Sequence, residues 1–242
     1  IIKHNNQCGA ASNKTIGKAY ERALEADQIS SFGGIIALNR SVDGRLAKKI
    51  IKNFVEIIVA KSFDTKALKI FKDKKRLILI KLNKDNVNKN YEIKSINGGY
   101  LEQDKNLTKI NKKLLRQASN YKSQSLQFSD LMFALKICKH VKSNAIVLCK
   151  NKKTVGIGAG QMSRIDACKI ALKKCSKEEK EGGFVVASDA FFPFTDNIKL
   201  LLRNNCEAIV TPSGSINDDK IIDYINNKKI PLYFSKNRFF KH

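Results

Sequence analysis

Three short runs decide the fold class: FVVA at 184–187, AIVT at 208–211 and PLYF at 231–234. Each run has the length and the apolar character of a buried strand. Between them, residues 196–203 and 218–225 repeat apolar side chains at helical spacing. Because strands that alternate with helices pack as layers, the pattern predicts an α/β fold built as a layer sandwich.

The same alternation extends towards the start of the chain. Helices are expected at 14–24, 45–54, 130–141 and 163–175, and strands at 35–38, 56–60 and 76–82. A further pair of strands, 145–149 and 154–157, is expected to form a hairpin. Residues 103–125 are rich in Lys, Asn and Gln and only weakly periodic. We therefore predict two lobes, residues 1–118 and 119–242.

The composition excludes several classes of protein. With 242 residues, 43% of them hydrophobic, the chain can bury a sizeable core, so it is not disordered as a whole. The 13 Gly and 3 Pro exclude a collagen-like chain. The apolar runs are far shorter than the ~18 residues of a membrane span, so no membrane partner is expected. Lys3 and His4 interrupt the start, where a secretory signal would be apolar, which favours a cytoplasmic protein.

The net charge of +24 suits partners that carry negative charge. These include nucleic acids, anionic membranes and phosphorylated metabolites. Only 8 of the 46 cationic residues are Arg, which reads phosphates and bases better than Lys does. The lysines are scattered beside Asn and Ile and alternate with acidic residues, as a codon bias would also produce. A nucleic-acid-binding module therefore remains only an alternative.

The six cysteines lie at 8, 138, 149, 168, 175 and 206, and none of them forms a Cys-x-x-Cys pair. Zinc sites usually need tighter spacing with a His nearby. The pattern is typical of buried, reduced thiols in a cytosolic protein, and no zinc is expected.

Two short motifs are candidates for chemistry. Glycines at 156–160 precede a predicted helix, where they either let a ligand approach backbone amides or form a tight turn. Lys3 and His4 place a cation beside a potential general base. Neighbours in a strand point to opposite faces, so both can serve one site only if the strand ends there or the chain turns.

Two further segments end in unusual residues. SDAFFPF at 188–194 follows a buried strand, and its aromatic rings could clamp a flat heterocycle, plug the core or form a subunit interface. The chain finishes in Arg238 to His242. Basic aromatic tails usually fray, so a functional His242 requires a tail that is tied down.

Taken together, these motifs closely resemble the AICAR transformylase part of the bifunctional purine biosynthesis enzymes, which couple AICAR formyltransferase to IMP cyclohydrolase. The stretches that carry the resemblance include KHNN at 3–6, SFGG at 31–34, VGIGAGQMSR at 155–164, ASDAFFPF at 187–194 and TPSGS at 211–215. The resemblance implies two cytidine-deaminase-like α/β lobes. The His-x-Glu and Pro-Cys-x-x-Cys motifs of the deaminase zinc site are not in the sequence. The resemblance also implies a homodimer with active sites at the subunit interface.

The implied reaction transfers a formyl group from 10-formyltetrahydrofolate to the 5-amino group of AICAR, giving formyl-AICAR in IMP biosynthesis. That amine is a poor nucleophile, because its lone pair is delocalised into the imidazole and the carboxamide. Catalysis therefore needs placement, a proton acceptor and charge stabilisation. AICAR and the folate are the expected partners, and the sequence leaves open whether a monovalent cation is bound.

The resemblance also implies roles for single residues. His4 would accept the proton, and Lys3 would stabilise developing charge and assist the leaving folate nitrogen. Asn144 would hydrogen-bond the transferring formyl group or hold His4. The positions implied to contact substrate are Glu56 near the folate, Gln161, Arg164, Asp189, Phe191, Pro193, Arg238 for the nucleotide phosphate, and His242.

The chain departs from the family pattern at Gln7, Gln28 and Lys61, where the family usually has Pro. Each lost Pro loosens the unfolded chain by about 0.4–1 kcal/mol. Gln7 could also lower activity, because it lies close to Lys3 and His4. The cyclohydrolase domain and an Arg-Tyr-Gly phosphate motif of the transformylase are expected upstream. Cyclohydrolase activity is therefore not expected here, and an inactive remnant that only forms dimers is a third reading.

Overall fold

The computed structural model describes residues 1–82 and 91–242. Its strands form a five-stranded sheet, a six-stranded sheet and a two-stranded hairpin. The helices are α1 Ile16–Glu25, α2 Gln28–Ser31, α3 Gly44–Ile50, α4 Thr65–Phe71, α5 Ser125–Cys138, α6 Arg164–Lys174, α7 Lys177–Glu181, α8 Asp196–Leu202 and α9 Asp218–Asn227. The strands are β1 Ile2–Lys3, β2 Asn6–Gln7, β3 Gly34–Ala37, β4 Val55–Ala60, β5 Ile78–Lys81, β6 Tyr91–Ile96, β7 Gly99–Asp104, β8 Leu115–Gln117, β9 Ile146–Lys150, β10 Lys153–Gly158, β11 Phe184–Ser188, β12 Cys206–Pro212 and β13 Leu232–Ser235. A mixed α/β fold is confirmed.

The six-stranded sheet has the order β10-β9-β11-β12-β13-β8 and is covered on both faces. β11, β12 and β13 run parallel, and the other neighbours pair antiparallel. Alternate residues of β11 enter different cores: Phe184 and Val186 pack into one, and Val185 and Ala187 into the other. Because neither face meets water, the strand is a continuous apolar run rather than an alternating one.

The glycines of β10 serve the packing of α6. A Cβ atom on Gly156 would lie 2.1 Å from the carbonyl oxygen of Ala171, and one on Gly158 would lie 1.9 Å from that of Ala167. Both carbonyls belong to α6, so any side chain would push this helix off the sheet. The sequence suggested that these glycines form either a ligand loop or a tight turn. Gly156 and Gly158 do neither, because they lie within β10 and pack against α6. Gly160 does lie in a turn, with a φ of 66°.

The five-stranded sheet has the order β2-β1-β3-β4-β5, and β3, β4 and β5 run parallel. One face carries Ile36, Ile58 and Ala60, which are buried in a core with residues of α1, α3 and α4. Residues of the opposite face are partly or largely exposed, and Ile78 and Ile80 are 55% and 42% exposed. This sheet therefore has a covered face and an open apolar face.

Backbone hydrogen bonds join the two large sheets. The amide of Thr154 donates to the carbonyl of Ala10 at 2.9 Å, and the amide of Ser12 donates to that of Lys152 at 2.9 Å. The ion pair of Lys174 with Asp27, at 2.7 Å, adds a side-chain link between α6 and the residue that caps α2. The segment 10–12 thus lies along the start of β10.

Most predicted elements exist, with shifted ends. α5 begins at Ser125, five residues before the expected start, because Gln124 and Gln127 form a capping box there. The weakly periodic segment 103–125 holds β8, which adds an edge strand to the larger sheet. Within the described residues, no helix is long and apolar enough to cross a membrane.

The turn between β9 and β10 should depend on Asp130, which is 7% exposed. Its carboxylate accepts the amides of Asn151 at 2.5 Å and Lys152 at 2.7 Å, both of which lie at positive φ. We expect Asp130→Ala to lower the free energy of unfolding by about 1–3 kcal/mol, because two backbone amides of the turn lose a charged acceptor. Urea denaturation measures this. The exposed Asp223→Ala should change it by less than about 0.5 kcal/mol, and an equal loss in both variants would contradict the prediction.

Candidate active site

The ends of five strands meet at one edge of the six-stranded sheet. The parallel strands β11, β12 and β13 all finish there. The antiparallel strand β9 begins opposite the end of β11, and β10 ends opposite the beginning of β9. Ligands of open α/β sheets bind at such carboxyl ends. Most of the residues singled out in the sequence lie in the segments that enter or leave this edge.

A buried ion pair between Arg164 and Asp189 lies at the centre of this edge. Arg164, the first residue of α6, is 8% exposed, and Asp189, which follows β11, is fully buried. One terminal nitrogen of the guanidinium contacts the Asp189 carboxylate and also donates to Ser188 Oγ at 3.0 Å. The other carboxylate oxygen accepts from Ser143 Oγ at 2.6 Å. Asp189 therefore lies behind the surface that a substrate would touch.

The same guanidinium fixes the side chain of Asn144. Arg164 Nη2 donates to Asn144 Oδ1 at 2.7 Å. The Asn144 amide nitrogen donates to the carbonyls of Gln161 at 2.8 Å and Met162 at 3.1 Å. Both amide protons are thus engaged, and the acceptor capacity that remains is on Oδ1. In the described part of the chain, no hydrogen bond joins Asn144 to His4.

Lys3 and His4 lie in a tight hairpin. β1 pairs with β2 through Lys3 opposite Asn6, and the two residues between, His4 and Asn5, have φ values of 49° and 62°. Two successive residues at positive φ are typical of a two-residue hairpin turn. The chain therefore turns at His4. Such a turn is required if the side chains of Lys3 and His4 are to serve one site.

The hairpin faces a small cavity of about 380 Å³ between the two sheets. Lys3 and His4 line it from the hairpin, and Ile157, Ala159 and Lys174 line it from β10, the loop after it and α6. The Lys3 ammonium donates to the carbonyl of Phe32 at 2.7 Å, and the His4 side chain is exposed. A base and a cation thus share a concave surface with the second sheet.

The last residues of the chain are tied down against this edge. Phe239 is fully buried, and its amide donates to the carbonyl of Asp189 at 2.8 Å. The guanidinium of Arg238 lies over the ring of Phe191, 4.8 Å from its centroid. Neither frays, in contrast to a typical terminal segment. His242 is exposed, and its ring lies 5.8 Å from that of Phe240.

Comparison with known proteins identifies the family of this chain. A sequence model of the family described as the AICARFT/IMPCHase bienzyme matches residues 1–174. The chain belongs to this family. It is similar over its full length to the bifunctional purine biosynthesis protein PurH of Prochlorococcus marinus (strain MIT 9215), at 47% identity. The PurH proteins of Acetivibrio thermocellus and Aquifex aeolicus are 43% and 41% identical. The chain spans about half, 47%, of the length of these relatives.

The segment ASDAFFPF at 187–194 divides its aromatic rings between core and surface. Phe192 is 1% exposed and fills the core, whereas Phe191 stacks on Arg238 and Phe194 is 63% exposed. The carbonyl of Pro193 accepts from the Asn217 amide at 2.8 Å. The motif is therefore partly a plug and partly an accessible surface. Gln161 lies nearby and donates to the carbonyl of Ala159 at 2.9 Å.

Glu56 is the candidate residue that the chain does not bring to this edge. It is exposed near the start of β4, in the other sheet. There it lines a separate cavity of about 820 Å³, together with Lys52 and Arg76. None of the hydrogen bonds or ion pairs within 1–82 and 91–242 connects it to Arg164 or Asn144.

Gln7, one of the departures from the family pattern, carries a buried oxygen without a partner. Its Oε1 has no hydrogen bond to any group that the structure describes. A buried acceptor without a donor destabilises the folded state by about 1–3 kcal/mol. The residue concerned lies in β2, directly after the turn that contains His4, so this part of the hairpin is destabilised.

All six cysteines are free and buried. The Cys8 thiol lies beside the hairpin and donates to the carbonyl of Ser30 at 3.4 Å. Burial raises the pKa of this thiol above its usual value, and it raises that of Cys175 to about 11. They remain protonated at neutral pH, so they are poor nucleophiles. No group of three or more His, Cys, Asp or Glu in the described ranges could hold a metal ion.

Sequence reasoning missed Ser143, Ser188 and Lys241. Ser143 and Ser188 each precede a residue that the resemblance singled out, Asn144 and Asp189. Their positions next to Asn144 and Asp189 were therefore the signal by which the sequence could have identified them. For Lys241 the sequence offers none, because its partners are about a hundred or more residues away in the chain.

We expect removal of the buried guanidinium to unfold this edge. Arg164→Met leaves the Asp189 carboxylate buried without its cation, which should lower the free energy of unfolding by about 3–5 kcal/mol. Thermal and urea denaturation measure the loss. Arg203→Met removes an exposed guanidinium after α8 and should change stability by less than about 0.5 kcal/mol. A loss below about 1 kcal/mol in Arg164→Met would contradict a central role for the pair.

Proposed function

We propose that this chain is the formyltransferase part of a bifunctional purine biosynthesis enzyme. It would transfer a formyl group from 10-formyltetrahydrofolate, the co-substrate, to the 5-amino group of AICAR. The observation that carries the proposal is the tight turn at His4 and Asn5, because it places a base and the Lys3 cation at one concave surface. The family match and the names of the relatives support the same pathway.

His4 is the proton acceptor in this proposal. The amine nitrogen of AICAR attacks the formyl carbon, and the bond from that carbon to N10 of the folate breaks. The amine proton passes to His4, and the protonated imidazole then gives a proton to N10 as that nitrogen leaves, so His4 returns to its starting state. An imidazole is suited to this exchange near pH 7. Lys3 stabilises the negative charge that develops on the formyl oxygen and assists the leaving nitrogen.

The nucleotide would bind along the strand ends. Arg238 is exposed and preorganised over Phe191, and a guanidinium is suited to binding a phosphate through two hydrogen bonds. Phe191 offers a flat apolar surface beside it for the imidazole ring of AICAR. Pro193 and His242 are further proposed contacts, one in the loop after β11 and the other at the end of the chain.

Asn144 would hold the attacking amine of AICAR through Oδ1, since an amine can donate to this oxygen, whereas the formyl oxygen is itself an acceptor. Arg164 and the loop carbonyls fix its amide, so the oxygen that remains open has a defined direction. Gln161 lies in the same loop, and its own carbonyl holds the Asn144 amide. Glu56 is proposed to contact the folate. Since a single chain does not bring Glu56 near Asn144, this contact would require the assembled enzyme.

The assembled form is proposed to be a cytoplasmic homodimer of chains, each with two cytidine-deaminase-like lobes, 1–118 and 119–242. The open face of the five-stranded sheet is the observation that supports a dimer, because a second copy of the chain could cover it. In residues 1–82 and 91–242, this face carries the partly or largely exposed apolar side chains of Ile35, Ile57, Val59, Ile78 and Ile80. An exposed apolar patch of this kind marks an interaction surface.

A formyl-transfer assay with the purified chain tests the function directly. We expect turnover of AICAR and 10-formyltetrahydrofolate, and a loss of at least about 100-fold in kcat for His4→Ala, as for a general base. Arg203→Ala, changed at the opposite edge of the sheet, should retain the activity of the unchanged chain. Equal kcat in the His4→Ala variant would overturn the role of His4, and a folded chain without turnover or AICAR binding would overturn the function.

Sedimentation equilibrium tests the assembly. A charge within the open face should separate the copies, because an ammonium would then be buried without a partner. We expect Ile80→Lys to shift the chain from dimer to monomer, with a dissociation constant raised by at least about 100-fold. Leu68→Lys introduces the same charge on the exposed side of α4 and should leave the dimer intact. A monomer in the unchanged chain, or an unchanged dimer in Ile80→Lys, would contradict an interface on this face.

A further inference from the structure

Lys241 links the His4 turn to the rest of the site. Its ammonium donates to the carbonyl of Asn5 at 3.2 Å and to the carbonyl of His140 at 3.0 Å. Asn5 is the second residue of the turn that begins with His4. An ammonium has three donors, so it can hold both carbonyls at once. Both acceptors are main-chain atoms, and the contact therefore fixes backbone rather than another mobile side chain.

The backbone of Lys241 is fixed in turn to the residue before Asn144. The Ser143 amide donates to the Lys241 carbonyl at 3.0 Å, and the Lys241 amide donates to Ser143 Oγ at 3.1 Å. Ser143 Oγ also donates to the buried Asp189 carboxylate. Lys241 is thereby attached to the same carboxylate that holds Arg164.

A second contact between the two sheets lies next to this one. The amide of Lys142 donates to Asn6 Oδ1 at 2.8 Å, one residue beyond the His4 turn. The Lys142 carbonyl accepts from the amide of Gly160 at 2.7 Å, in the loop that leads to Gln161. The turn and the 140–144 segment are thus held at two adjacent points, and Lys241 supplies the charge-assisted hydrogen bonds at one of them.

We propose that Lys241 is a positioning residue that sets the place of His4 relative to Asn144. This inference rests on the proposed function, since it assigns Lys241 to the formyl-transfer site, but its structural part stands on the contacts alone. A proton acceptor held in an exposed two-residue turn needs an external support, because a misplacement of about 1 Å can lower a rate by about 100-fold. Lys241 itself need not touch either substrate.

A different role is open to any lysine near such a site: its charge could simply attract the anionic substrates. The two roles predict different kinetics. Lost attraction raises KM and leaves kcat unchanged, whereas a displaced base lowers kcat. The two roles are separated further by substitution of Lys241. Arginine keeps the positive charge and can donate to two carbonyls. Methionine keeps most of the aliphatic stem but loses the charge and the donors.

The kinetic test compares Lys241→Met, Lys241→Arg and Lys236→Met in the 242-residue chain. Lys236 is exposed in the same tail, and its ammonium has no hydrogen bond or ion pair in the described ranges. We expect Lys241→Met to lower kcat by about 10-fold to 100-fold, with KM for AICAR within about twofold. Lys241→Arg should recover most of kcat, and Lys236→Met should match the unchanged chain.

Amide hydrogen exchange measured by NMR provides a readout that needs no activity. The Lys142 amide bonds across to Asn6, so its exchange reports on the junction itself. We expect faster exchange of this amide in Lys241→Met but not in Lys236→Met, with an unchanged free energy of global unfolding. A chain that shows this difference but no formyl transfer would contradict the proposed function and leave the positioning contact in place.

Either of two outcomes would overturn the inference. In the first, the exchange of the Lys142 amide is the same in Lys241→Met and Lys236→Met. In the second, Lys241→Met raises KM and leaves kcat unchanged, which would assign Lys241 to substrate attraction.

Discussion

The buried pair of Arg164 and Asp189 is the constraint on which this edge of the molecule depends. A charge removed from water is tolerated only when it is paired and its remaining hydrogen-bonding capacity is used. Both requirements are met with groups from different segments. The guanidinium reaches Ser188 and Asn144 as well as Asp189, and the carboxylate also accepts from Ser143. The need to compensate one ion pair therefore fixes the start of α6, the end of β11 and the approach to β9 together.

The sequence predicted the larger sheet well and the smaller features poorly. Runs such as FVVA are apolar throughout because the sheet is covered on both faces, and that signal is local. The roles of Gly156 and Gly158 could not be read in the same way. Glycine lacks a Cβ atom, which suits a ligand loop, a turn and a closely packed helix equally, and only the position of α6 decides among them.

The sequence singled out several residues that the structure brings together at this edge, but it did not predict how they are connected. The family resemblance singled out Asn144, Arg164 and Asp189, but it did not reveal that Asp189 lies wholly behind Arg164. The turn at His4 was recognised only as a condition, because residue type does not fix φ at His or Asn. Contacts such as that of Lys241 with Asn5 join residues at opposite ends of the chain, where no local pattern exists.

The fold also changes the meaning of the net charge of +24. Several carboxylates accept backbone amides at the starts of helices or in a turn: Asp27, Asp43, Asp64 and Asp130 are of this kind. Asp189 is enclosed with Arg164. Of these, Asp27 also pairs with Lys174, whereas lysines such as Lys48, Lys66 and Lys69 remain exposed. A compositional excess of lysine therefore becomes an attractive field at the surface, where it raises the local concentration of anionic ligands without any designed binding site. A codon bias and a benefit for the proposed anionic substrates are compatible explanations of the same charge.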